Sequence, residues 1–349
     1  MLQTLRPMAR TGLAVSAVMM ASWPGFAVAQ TTVTMTMSSW VPPTHALSKD
    51  MLPNWAAEVE KATKGRVKFQ MLPKHPSAPP GTFDAVREGL VDVSYVTASY
   101  TPARHTMPLM AELPGGGNSS IINSVAFSRI HWKYFQQVGE YKGVKLLGVF
   151  THGPGQMFNS KRPINKIEDL AGMKIRTGGG ISEETARALG ASAFVKPAPE
   201  SYELLSTGVA DGTFFPLESV SSFKLASVVK HATLFPGGFY SSSFGMFMNE
   251  DKFNKLSKED QDAIMSVSGE NIARIAGKAW DDADKASLEQ MKKDGVQVAD
   301  ASPELIKAVQ EKSKAIIDKW IAAATAKGVD GGKVWAEFQQ EIKNVAAGK

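Results

Sequence analysis

The stretch Gly155–Ile181, GQMFNSKRPINKIEDLAGMKIRTGGGI, decides how this chain is read. It reads as a strand, a turn at Pro163, a short helix ending near Gly172, a second strand and a glycine loop. The second strand carries Arg176 at its C-terminal end. Gly178, Gly179 and Gly180 then let the backbone turn tightly before a helix expected to start at Ser182. In open α/β sheets, ligands sit at the carboxyl ends of strands, beside helix N-termini. A guanidinium there, next to the unpaired N–H groups of a helix start, makes an anion site. Arginine suits a carboxylate because its planar fork donates two parallel hydrogen bonds. Taken alone, a strand-end arginine is more often a surface charge or half of an internal ion pair.

The neighbouring words favour a ligand role. NSKRPI (159–164), IEDLAGMKIR (167–176) and GVADG (208–212) together resemble the periplasmic solute-binding proteins of TRAP transporters, the DctP family. The resemblance extends over essentially the whole chain after its leader. It implies an α/β, two-lobed, type II-like periplasmic binding protein with a long helix spanning both lobes. It also implies that Arg176 binds the substrate carboxylate. The expected division is 1–29 as leader, 30–152 plus about 243–275 as the first lobe, and 153–242 plus about 276–349 as the second lobe with the C-terminal helices.

The N-terminus reads as a cleaved secretory signal, so the protein is expected in the periplasm. Arg6 and Arg10 form a positive start without acidic residues. Thr11 to Ala21 is an apolar run too short to span a membrane, and Ala27-Val28-Ala29 fits a cleavage site. No later run reaches the ~20 apolar residues of a membrane span. The remaining length suits two domains. The formal charge of +5 falls to +3 once Arg6 and Arg10 leave, which is too mild to point to nucleic acid. There are no cysteines, which excludes disulfides, thiolate metal sites and cysteine catalysis.

Read in order, Val33–Met37 is a first strand. SSWVPPTHAL (38–47) follows as a strand-end loop carrying Trp40, with His45 as a helix-start residue. A helix from about Ala46 to Thr63 puts Leu47, Met51, Trp55 and Val59 on one stripe, and Gly65 stops it. Val91 to Thr97 is a third strand, with Tyr95, Thr97, Ser99 and Tyr100 at or beyond its end. Ser119 to Val138 is a helix with core spacing. Ser257 is expected to cap a helix, with Ala263 to Lys293 as one long span bridging both lobes. The six histidines are scattered, and no metal or catalytic spacing occurs among them. No cofactor, metal site or enzymatic activity is expected.

Two departures from the family pattern bear on the ligand. Many members carry a second arginine just before the strand leading into NSKR, where this chain has Gly155, with Gln156 and Phe158 in the strand. Many also carry an asparagine after the V-D-G turn, where this chain has Thr213-Phe214-Phe215-Pro216, so Phe215 replaces it. Trp40, Phe239 and Tyr240 fall at other expected rim positions. The expected contacts are thus Arg176, Trp40, Phe215, Phe239, Tyr240, Gln156, Phe158, Thr213, Tyr95 and Thr97. A second carboxylate buried against phenyl faces would stay unpaired, which is expensive. The expected ligand is an aromatic or apolar monocarboxylate, such as the 2-oxo or 2-hydroxy acids benzoylformate and mandelate. The resemblance implies a monomer that hands its ligand to the small and large subunits of a membrane permease. C4-dicarboxylate or sugar-acid binding, partnership with a sensor kinase, and an exported hydrolase or isomerase on a similar scaffold stay open.

Overall fold

A computed structural model describes residues 32–349, together with Leu2. The leader expected at 1–29 lies outside the described residues, Leu2 apart. The described strands are β1 (Val33–Met37), β2 (Val67–Met71), β3 (Val93–Thr97), β4 (Val144–Thr151), β5 (Gln156–Asn159), β6 (Lys174–Thr177), β7 (Ser192–Val195), β8 (Gly212–Phe215), β9 (His231–Leu234), β10 (Ser243–Asn249) and β11 (Gln297–Asp300). They form a five-stranded sheet, β2-β1-β3-β10-β4, and a six-stranded sheet, β11-β9-β5-β8-β6-β7. In the first, β1 runs parallel to β2 and β3, whereas β10 is antiparallel to β3 and β4. In the second, β6 runs parallel to β7 and β8, and β5 is antiparallel to β8 and β9. This is the two-lobed α/β fold that the sequence implies.

The chain crosses between the sheets at β4–β5, again at β9–β10 and a third time between β10 and β11. The first two crossings zip together: His152 N donates to Ser242 O at 3.1 Å, and Gly155 N donates to Tyr240 O at 2.9 Å. Gly155 has no room for a side chain, because a Cβ there would lie 2.1 Å from Tyr240 Cε1. Such paired crossings are where lobes hinge in proteins of this architecture.

Local sequence explains most helix boundaries. The described helices are α1 (Leu52–Ala62), α2 (Thr82–Arg87), α3 (Ser120–Ile130), α4 (Gly180–Ala188), α5 (Ser201–Ser206), α6 (Leu217–Ser222), α7 (Glu250–Asn254), α8 (Lys258–Ser266), α9 (Glu270–Lys293), α10 (Pro303–Ala326) and α11 (Gly331–Ala346). None is long and apolar enough to cross a membrane. Leu52, Trp55 and Val59 give α1 its buried stripe, and Gly65 ends it at φ +80°. Ser119 caps α3, but that helix stops at Ile130 and passes into a wider π turn over His131–Phe135. The expected run to Val138 is therefore only partly α-helical.

The long bridging helix differs from expectation in its start. It breaks at Val267–Gly269 into α8 and α9, with Gly269 at φ +62° donating its N–H to Leu147 O on β4 at 2.7 Å. The tie to the sheet requires a left-handed residue, which glycine supplies without steric cost. The remaining α9, 24 residues long, extends about 36 Å and still reaches both lobes. It lies so close to α3 that a Cβ on Gly277 would sit 2.4 Å from Ile121 Cα. Three residues apart on its surface, two aspartates cap one helix in each lobe. Asp281 accepts from Ser120 N at 2.6 Å at the start of α3, and Asp284 accepts from Glu218 N at 2.6 Å at the start of α6. The last helix, α11, packs on α3. Val334, Phe338 and Ile342 join the core that contains Phe127 and Phe135.

Candidate ligand site between the lobes

Arg176 closes β6, and its side chain turns inward, 2% exposed. Its Nε and Nη2 both donate to Lys196 O, at 2.9 and 2.6 Å, which fixes one edge of the fork. The guanidinium carbon lies 4.4 Å from the centre of the Phe215 ring. Glu200, the carboxylate that contributes to its field, pairs with Lys196 at 3.2 Å instead. Among the described residues no carboxylate lies within ion-pair distance of Arg176. Burial pulls its pKa down, and the phenols of Tyr100 and Tyr240 act against that. An arginine stays charged under these conditions. A buried cation without a counter-ion is costly and accepts an anion readily.

The fork faces a narrow cavity of about 40 Å³. Of the ten expected contacts, Trp40, Thr97, Arg176, Phe215 and Tyr240 line it. Its walls are aromatic. Trp40 lies 5.6 Å from Tyr100, Phe215 stacks on Phe223 at 5.7 Å, and Phe244 lies 5.3 Å from Trp280, all ring centre to ring centre. Tyr100 OH accepts the Ala198 N–H at 2.8 Å, and His45 Nε2 meets Glu218 Oε2 at 3.2 Å. Both contacts join the two lobes, so the cleft is closed. Burial lowers the His45 pKa, and Glu218 opposes that. His45 also receives the Leu47 N–H at 3.2 Å, the helix-start role expected of it.

The other five expected contacts lie behind the cavity wall. Tyr95 is buried under Trp40, with its hydroxyl 2.6 Å from Ser39 Oγ. Phe158 is in the core, and Phe239 packs on Phe214 at 4.8 Å and Phe235 at 5.0 Å. The Gln156 amide is held by the Phe235 backbone, which donates to Oε1 at 2.6 Å and accepts from Nε2 at 3.3 Å. Thr213 donates to Arg176 O at 3.2 Å and so steadies the strand that carries the arginine. These side chains sit within the sheets, whereas the cavity opens beyond the strand ends.

The expected anion site at the next helix is already filled. The helix α4 begins at Gly180, two residues before Ser182, whose hydroxyl donates back to Gly179 O at 2.8 Å. Glu112, from the first lobe, occupies the space there, its Oε2 lying 3.3 Å from where a Cβ on Gly180 would sit. Its carboxylate also accepts from Ser99 Oγ at 2.5 Å and from Ser243 N and Oγ at 3.1 and 3.0 Å. Burial pushes its pKa up to about 7 although these donors favour the charge. An anion in the cavity would meet the guanidinium and the nearby phenols rather than this helix start. Gly178 Cα approaches this group closely: a Cβ there would lie 3.6 Å from Tyr100 and 4.0 Å from Arg176 Nη2.

Ser99 and Tyr100, which the sequence puts among the candidate contacts at or beyond the end of β3, also line the cavity. His152, Ser219, Phe244 and Trp280 line it too. They come from the first crossing, α6, β10 and α9, and no local signal marks them.

Residues 37–323 match the profile of the family described as bacterial extracellular solute-binding protein, family 7 (DctP). The chain belongs to this family. As a family 7 solute-binding protein it resembles "Outer membrane transporter protein TsaT" of Comamonas testosteroni, with 28% identity over 299 residues, 85% of this chain and 88% of the relative. Among solved structures, a TRAP periplasmic solute-binding protein from Bordetella bronchiseptica, with bound (R)- and (S)-mandelate, is 48% identical. Its TM-score is 0.88, and the match covers 90% of this chain and 99% of that one. A marine metagenome TRAP solute-binding protein described as specific for aromatic acid ligands, in complex with 3-hydroxybenzoate, is 27% identical at a TM-score of 0.84, covering 90% and 99%.

Proposed function

We propose that this family 7 protein is the periplasmic receptor for an aromatic or apolar monocarboxylate of the 2-hydroxy or 2-oxo acid class, such as mandelate or benzoylformate. It delivers that acid to the small and large subunits of a TRAP membrane permease. The observation that carries the reading is Arg176, a buried cation with no carboxylate partner among the described residues, facing an aromatic cavity. The acid end of the ligand lies against the guanidinium, and its body stacks among Trp40, Phe215, Phe223 and Phe244. A dicarboxylate or sugar acid would press a second polar group against these rings and leave it unpaired. The mandelate-bound relative at 48% identity supports the same choice. Closure of the lobes excludes water and strengthens the ion pair. Handing over the ligand needs the hinge to open, with no bond made or broken.

A thermal-shift panel of organic acids tests this reading. Mandelate, benzoylformate and benzoate should raise the melting temperature, because a ligand that binds only the folded state stabilises it. Succinate, galacturonate and sialate should leave it unchanged. Stabilisation by the latter group alone would refute the proposal.

Gly155 supplies a second test. An arginine at this position would overlap Tyr240, whose ring fills the space a side chain needs. Gly155→Arg should therefore displace Tyr240 and weaken mandelate binding by about tenfold or more in calorimetry, a typical cost of forcing a packed ring aside. Affinity within twofold of wild type would show that Tyr240 is not part of the ligand wall.

A further inference from the structure

Almost every buried polar group in the cavity wall is already engaged. Ser99 is bound to Glu112, Tyr100 to Ala198 N, His45 and Ser219 to Glu218, His152 Nδ1 to Gly153 O, and Trp40 Nε1 to Tyr95 O. Among the wall residues, two buried polar atoms have no partner: Thr97 Oγ1 and Trp280 Nε1. Both residues are almost fully buried, at 3% and 2% exposure. Buried hydroxyls are nearly always hydrogen-bonded, so one left open at a ligand site marks the place of a ligand atom.

The two differ in setting. Trp280 lies among rings, 5.5 Å from His45 and 5.3 Å from Phe244, and belongs to the part of the wall that takes an apolar body. Thr97 ends β3 and leads directly into the short turn Ala98–Tyr100, whose last residue lines the cavity together with Arg176. It pairs with Phe244 across the sheet and so faces the cavity from the first lobe, while Arg176 faces it from the second. Its hydroxyl both donates and accepts, whereas the indole N–H only donates. A 2-oxo group needs a donor. A 2-hydroxyl group is served by either role.

We infer that the Thr97 hydroxyl reads the oxygen on C2 of the bound acid and makes the receptor prefer 2-hydroxy and 2-oxo acids to the corresponding acid without that oxygen. The inference rests on the aromatic-acid reading above. A site that hydrogen-bonds a substrate oxygen rejects the analogue lacking it, because the site's own polar group is then left buried and unpaired.

Calorimetry with mandelate, benzoylformate and phenylacetate tests it on the wild-type protein, Thr97→Val and Thr97→Ser. Wild type should bind the two oxygenated acids at least about tenfold more tightly than phenylacetate. Thr97→Val, which keeps the shape but not the hydroxyl, should lower that ratio by about tenfold, and Thr97→Ser should restore it. If Thr97→Val weakens all three acids alike, or leaves the ratio where it was, Thr97 is structural and the inference is wrong. If wild type binds oxygenated and plain acids equally, the inference fails while the aromatic-acid reading stands. If wild type binds none of the three, both fail.

Discussion

Replacing Arg176 by methionine should weaken mandelate or benzoylformate binding by roughly a hundredfold or more, yet leave the unliganded protein folded. Removing one partner of a buried charge pair typically costs 2–5 kcal/mol of binding, and every 1.4 kcal/mol is about tenfold. Methionine keeps most of the side-chain length, so the space beside Phe215 stays filled. Without ligand the guanidinium is buried against solvation with only Lys196 O accepting from it. Its removal therefore relieves a desolvation cost as well as losing two hydrogen bonds. The unliganded melting temperature should change little, and the rise on adding mandelate should vanish. Calorimetry and thermal shift on the same preparation separate the two effects. Affinity within twofold of wild type would overturn the assignment of Arg176 to the carboxylate.

Acidification should destabilise the protein strongly between pH 6.5 and 4.5, even without ligand. Burial lowers the pKa of His105 and His131 to about 3, and of His75 and His152 to about 4, from an ordinary 6.5. Between those values and 6.5 the unfolded chain binds protons that the folded chain refuses. Their contribution is fully present above pH 6.5 and is lost as pH falls through that window. At pH 4.5 each histidine has cost up to about 2–3 kcal/mol, against a typical total stability of about 5–15. Glu112 works the other way. Its pKa is raised from 4.5 to about 7, so its contribution is complete below 4.5 and is lost as pH rises through 7. Asp281 and Asp284, raised by burial, have the same sign. Against these three carboxyls stand five histidines, since burial lowers His45 as well, and the larger group sets the expected direction.

His131 carries the sharpest version of this prediction. Neither ring nitrogen has a partner, and Phe127, Trp132, Phe135 and Tyr141 surround it at 5.6 to 6.0 Å. An imidazolium there would find no acceptor. Denaturant unfolding at pH 7.5, 6 and 4.5 should show a steep loss, and His131→Phe should make that loss smaller. Stability that is flat or rises on acidification from 6.5 would refute the account.

The physical link between these expectations and the primary structure is uneven. The sequence places Arg176 near the end of a short strand just before three glycines, a local pattern, but its ligand role came from the resemblance to the DctP family. The helix starts at Ser119, Ser257 and Ser302 are local too, since each serine oxygen needs only the N–H three residues on. The break before α9 is not. It depends on Leu147, far back in the chain, accepting from Gly269, and helical periodicity runs through such a break unmarked.

The sequence by itself determined that Arg176 lies near a strand end before a glycine loop, because that rests on residue type and short-range spacing, and its resemblance to the DctP family implied the two-lobed α/β class and the apolar surroundings of that cation. Only the tertiary structure decided which aromatic rings share the cavity with Arg176 and which lie behind its wall. It alone showed that Glu112 fills the start of α4 and that Asp281 and Asp284 cap a helix in each lobe. Alternation along a strand says that a side chain is buried. What it is buried against depends on how distant segments converge, and that is set by long-range packing.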